Sequence, residues 1–195
     1  GLSSFYTLAD SDKFGVSAAN LGDVDDDGVD DMVVGSAYDG DGGYWTGAIY
    51  VIFLTSDGLV KSAQKISNLY GNLPYTIGAG DYFGISVSAL DDFDGDGVKD
   101  LVVGTNGDDD GGTSAGAVYV IFLQASCPSP APTVTPAPSS LPTPIPTTTF
   151  APTTDGCVSD GIVTSAQKIS NSYGNLPFTL EASDRFAPVS TLGDM

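Results

Sequence analysis

Histidine is absent from the sequence. That removes Ser-His-Asp triads, His-ligated zinc and the commonest general base. Basic residues are scarce, 6 Lys and Arg against 25 Asp and Glu, for a net charge of −19. No basic stripe exists to displace phosphate counterions, so nucleic acid is excluded as a partner. An anionic membrane surface would repel the chain. No apolar run reaches transmembrane length and no segment has the build of a signal peptide, so direct membrane insertion is not expected of these residues. There are only two cysteines, Cys127 and Cys157, with no C-x-x-C pair between them. They bracket a Pro/Thr-rich stretch, which points to a disulfide and an oxidising compartment rather than to metal or redox chemistry.

What is present is repetition. The segment beginning DKFGVSAANLGD at Asp12 returns as DYFGISVSALDD at Asp81, and GAIYVIFL at Gly47 returns as GAVYVIFL at Gly116, both at an offset of 69 residues. SAQKIS at Ser62 returns at Ser165, at an offset of 103. The difference of 34 residues is an insertion between Leu123 and Ser159. Each copy reads as four strands, near Val16–Leu21, Asp31–Val34, Ala48–Leu54 and Val60–Ser67 in the first. The third is continuously apolar, as in a strand covered on both faces, and the fourth is polar enough for a sheet edge. Glycine-rich turns separate them and no segment carries a helical period.

Four short strands at a fixed period predict propeller blades. The expected fold is all-β: a partial β-propeller of two four-stranded blades plus the start of a third. Residues 1–11 would end a preceding blade or linker. Residues 12–80 would be the first blade, 81–183 the second with a Pro/Thr-rich insertion over 124–158, and 184–195 the opening of a third. Closure takes at least about four blades, so the chain, which starts at Gly1 and stops inside a motif, is expected to be a piece of a longer protein. The insertion holds 9 of the 12 prolines between residues 128 and 152 and no charge there. It would be an extended spacer, or an O-glycosylated spur through Thr147–Thr149 and Thr153–Thr154.

The chemistry concentrates in two acidic loops, residues 23–31 and 91–100, which hold 11 of the 25 acidic residues. Each contains D-x-D-x-D-G-x-x-D. Clustered carboxylates repel one another and ask for a cation. Ca²⁺ takes several oxygens at about 2.3–2.6 Å, whereas Mg²⁺ keeps more of its water and a smaller cage. Candidate ligands are Asp23, Asp25, Asp27, the Val29 carbonyl and Asp31, then Asp92, Asp94, Asp96, the Val98 carbonyl and Asp100. An EF-hand begins alike but needs Glu at position 12, where Val34 and Val103 stand inside apolar VVG runs. The alternative is a solvated acidic turn without metal.

Phe14-Gly15, the first loop and Gly35-Ser36-Ala37 follow the order of an FG-GAP repeat, as do Phe83-Gly84, the second loop and Gly104-Thr105-Asn106. The sequence resembles the N-terminal propeller of integrin α subunits and related extracellular FG-GAP proteins, outside the insertion. The resemblance implies seven blades, calcium loops in the hairpins between first and second strands, and protein ligands or a partner subunit on the opposite face. It implies an extracellular or cell-surface location and no catalysis. A third copy departs from the pattern: Ala187 follows Phe186 where Gly is expected, and Asp194 comes one residue early. Two other functions stay open. One is a lectin-like propeller holding a glycan at the aromatic and acidic loop Asp39–Trp45. The other is a non-catalytic accessory propeller of a secreted enzyme.

Overall fold

A computed structural model describes residue 2 and residues 5–124, 163–170 and 172–174. Eight strands run in chain order: β1 (Phe14–Gly22), β2 (Asp31–Ser36), β3 (Ala48–Leu54), β4 (Val60–Ile66), β5 (Ser86–Ala89), β6 (Leu101–Thr105), β7 (Ala117–Leu123) and β8 (Val163–Ile169). They form two antiparallel four-stranded meanders, β1-β2-β3-β4 and β5-β6-β7-β8. The fold is all-β, with the architecture of two propeller blades. The first strand is longer than its apolar pattern indicates. It starts at Phe14 and runs to Gly22 through two register shifts that absorb unpaired residues.

The sequence repeat is reproduced in register. Val33 faces Val51 as Val102 faces Val120, and Leu54 pairs Val60 as Leu123 pairs Val163, each just past a bulge. So β7 and β8 pair across residues 124–162 as β3 and β4 pair across a short turn. Cys127, Cys157, Ala187 and Asp194 lie outside the described residues.

Strand alternation divides β3 between two cores. Ile49, Val51 and Phe53 enter a core shared with Leu101, Val103, Tyr119, Ile121 and Leu123 of the second sheet. Tyr50 and Ile52 point to the other side, where Leu2, Tyr6 and Phe14 pack on them. This is why the third strand carries no polar alternation: both of its faces are buried.

The two sheets are stitched where Phe83 and Gly84 reach the first sheet. Gly47 bridges Phe83, and a Cβ on Gly47 would sit 2.2 Å from the Phe83 carbonyl oxygen. Gly84 has a φ of +86°, and a Cβ there would lie 2.5 Å from the Ala48 carbonyl oxygen. Ser17 donates its hydroxyl to the Gly84 carbonyl at 2.9 Å. Only glycine permits that backbone-to-backbone approach.

Candidate metal loops

Both acidic loops join the first two strands of their sheets, at the same end of each blade. Their winding is built by aspartates that accept backbone N–H groups, the turn chemistry this residue type favours. Asp23 takes the N–H groups of Asp27 and Gly28 at 2.9 and 2.7 Å. Asp92 takes those of Gly95, Asp96 and Gly97 at 2.7–3.0 Å. Asp27 accepts from Val29, and Asp96 from Val98.

The ninth position has a further task. Asp31 accepts from Val24 in its own loop and from Leu54 at the end of β3, both at 3.0 Å. Asp100 does the same with Phe93 and Leu123, at 2.9 and 3.1 Å. Each buried carboxylate thus ties its loop to the third strand. Burial pushes both carboxyls above the usual aspartate range, against the lowering by those N–H groups.

In the first loop, carboxylate oxygens of Asp23, Asp25 and Asp27 lie within 4.8 Å of one another; in the second, those of Asp92, Asp94 and Asp100 do. Asp31 stands outside the first trio and Asp96 outside the second. Asp25 Oδ1 is buried without a hydrogen-bond partner, which is the costly state for such an atom. Its other oxygen accepts from Lys61 Nζ at 2.8 Å, and the same ammonium reaches Asp27. That hydrogen bond holds the Asp27 carboxyl below the usual range. An all-oxygen set of convergent carboxylates with one orphaned acceptor fits a hard divalent cation.

Residues 83–121 match the FG-GAP repeat. Curated relatives extend the likeness to about half of the chain. Integrin alpha-5 of Xenopus laevis is 33% identical over 98 residues, covering 50% of this chain and 9% of the relative. Integrin alpha pat-2 of Caenorhabditis elegans is 37% identical over 96 residues, 47% of this chain and 7% of the relative. Human integrin alpha-IIb is 34% identical over 95 residues, 49% and 8% respectively. The chain spans less than a tenth of the length of these relatives.

In the FG-GAP repeat matched here, the FG dipeptide is the Phe83-Gly84 stitch and the acidic loop follows it. At the opposite end of the blades lies a feature that the sequence reading missed. Lys65 on β4 is buried, 4% exposed, with its ammonium 2.7 Å from Asp39 and also paired with Asp41. Tyr50 donates its hydroxyl to the same Asp39 at 2.9 Å. The second blade repeats the ion pairs but not the tyrosine bond: Lys168, also buried, pairs with Asp108 at 2.6 Å and with Asp110, and lies over the Tyr119 ring. Burial alone would lower both lysine pKa values, but the carboxylates outweigh it and hold them above the ordinary range. The signal was present in the sequence, as a lysine invariant between the two SAQKIS copies and a D-x-D pair at the same offset of 69. A polar strand beside an acidic turn reads as surface until the loop is seen folding over it.

The loop Asp39–Trp45 sits at this end. Tyr44 stacks on Trp45 with ring centroids 4.1 Å apart and is 65% exposed. Trp45 also packs near Tyr38 and Tyr82. A concavity of about 530 Å³ opens here between Asp10, Asp12, Asp41 and the aromatic rings.

Proposed function

We propose that residues 12–80 and 81–183 are adjacent blades of a calcium-stabilised, integrin-α-like extracellular propeller that binds ligands and performs no catalysis. Residues 1–11 would finish a preceding blade and 184–195 begin another. The observation that carries the reading is the repeated convergence of three carboxylates at equivalent loops, with Asp25 Oδ1 buried and unpartnered. Ca²⁺ would be held by Asp23, Asp25, Asp27, the Val29 carbonyl and Asp31 in one loop. In the other it would be held by Asp92, Asp94, Asp96, the Val98 carbonyl and Asp100. The ion neutralises the loop and closes the hairpin on β3 or β7; it takes part in no reaction.

Added calcium should raise the melting temperature, because a ligand of the folded state stabilises it by mass action. With a Kd on the order of 10⁻⁴ M, as in extracellular calcium modules, each site would add about 2.7 kcal/mol at a hundredfold excess over Kd. Calorimetry should count two sites, and one after Asp25→Asn or Asp94→Asn. An unchanged count in both variants refutes the ligand assignment.

A protein partner would engage the end opposite the calcium loops, where the Asp39–Trp45 loop stands. The exposed Tyr44–Trp45 stack beside carboxylates also favours a second reading, a glycan whose ring lies on the aromatic face. A glycan array probed with the complete protein, against binding to protein matrices, separates the two.

A further inference from the structure

Both acidic loops are wound by aspartates that accept backbone N–H groups, but their charges differ: residues 23–31 carry six aspartates, residues 92–100 carry four with Lys99, and among the described residues only the first loop is reached by a lysine from β4. In the first, Lys61 Nζ lies 2.8 Å from Asp25 Oδ2 and also contacts Asp27 Oδ2, so it already occupies oxygens that a cation would use. Lys61 sits on β4 between Val60 and Ser62, at the bulge where Leu54 pairs Val60 and Phe53 pairs Ser62. The matching bulge in the second sheet, between the Leu123–Val163 and Phe122–Ser165 pairs, places Thr164 there. Thr164 turns its hydroxyl to the Phe122 carbonyl at 3.1 Å and brings no charge to the second loop. Among the described residues no ion pair reaches Asp92, Asp94 or Asp96, although Lys99 lies within their own loop.

We propose that Lys61 is a built-in competitor for the cation of the first loop, so that this loop binds calcium more weakly than the same carboxylates would without the lysine. This rests on the calcium reading given above. The first loop fills only when calcium displaces the ammonium from Asp25 and Asp27. The displacement needs no rearrangement of the sheet, because the Lys61 side chain is 39% exposed and can swing into solvent. The same contact offsets one of the loop's charges while no metal is bound, the ammonium being shared between Asp25 and Asp27. An exposed ion pair is a weak competitor, so the penalty on calcium affinity is modest, roughly two- to fivefold in Kd.

The test is calorimetric titration of CaCl₂ into the full chain, with circular dichroism to verify the fold of each variant. Asp94→Asn isolates the first loop. In that background Lys61→Gln should tighten Kd about two- to fivefold, and Lys61→Arg should leave it near its starting value. Asp25→Asn isolates the second loop, where Thr164→Lys should weaken Kd by a similar factor. An unchanged or weaker first-loop Kd in Lys61→Gln, with calcium still bound, overturns the competitor role alone. Calcium bound by neither loop overturns the calcium reading, and the competitor role falls with it.

Discussion

Replacing Lys65 with methionine keeps most of the stem's volume and removes the ammonium that compensates Asp39. Asp39 has 3% of its side chain exposed, so it cannot recover hydration without opening its loop. It would keep the Tyr50 hydroxyl as a donor, together with the Asp41 N–H. Asp41 is more exposed and loses little. Removing one member of a buried pair costs about 3–5 kcal/mol, because the remaining charge is stranded. For a chain of this size that lowers Tm by about 6–20 °C. Converting both groups, with Lys65→Met and Asp39→Asn together, should recover much of the loss, since the stranded charge is gone. The pH dependence has a definite sign. The folded state raises the Lys65 pKa, so its contribution is complete below the unfolded lysine value and is lost as pH rises through the folded one. The wild-type and Lys65→Met curves should therefore converge only in strong alkali. Thermal and urea denaturation of the two single variants and the double variant measure the cycle. A Lys65→Met protein within about 0.5 kcal/mol of wild type, the range of ordinary surface changes, would refute the buried-pair argument.

The glycine stitch gives a paired test: Gly84→Ala faces both a φ of +86° and the Ala48 carbonyl, whereas Gly95→Ala has a similar φ of +84° and open space. Urea titration should show a loss of about 1 kcal/mol for Gly95→Ala and about 2–4 kcal/mol for Gly84→Ala; equal losses would remove the contact from the explanation. Asp81 is raised above the usual carboxyl range by burial, and its ionised form is therefore a burden on the fold at neutral pH. That burden lifts as pH falls through the raised value, so Asp81→Asn should gain stability relative to wild type at pH 7 and less at pH 4. A gap that stays constant between the two would contradict the burial argument. A Cys127–Cys157 disulfide would close a loop of 31 residues beside the Leu123–Val163 pair and add about 3–4 kcal/mol in the chain-entropy picture. Mass spectrometry of a non-reduced digest of secreted protein should find the linked peptides, and free thiols at both positions would rule the bridge out.

Strands and acidic loops were legible in the residues because their causes are local. GAIYVIFL is apolar at both parities, which only a strand buried on two faces needs. D-x-D-x-D-G-x-x-D winds itself through carboxylates bonding N–H groups two to five residues on. The repeat at 69 residues places one pattern on another, so the register of the second sheet follows from the first. What the tertiary structure alone decided are contacts between distant segments whose partners no local pattern names. Asp31 was legible as a loop residue, but its hold on Leu54 depends on where β3 ends. Lys61 and Lys65 stand four residues apart on one polar strand and read alike. One reaches the acidic loop at one end of the blade, and the other is buried under Asp39 at the opposite end. The difference arises because each strand end meets a different loop, and the meander, not the residue, sets which loop that is.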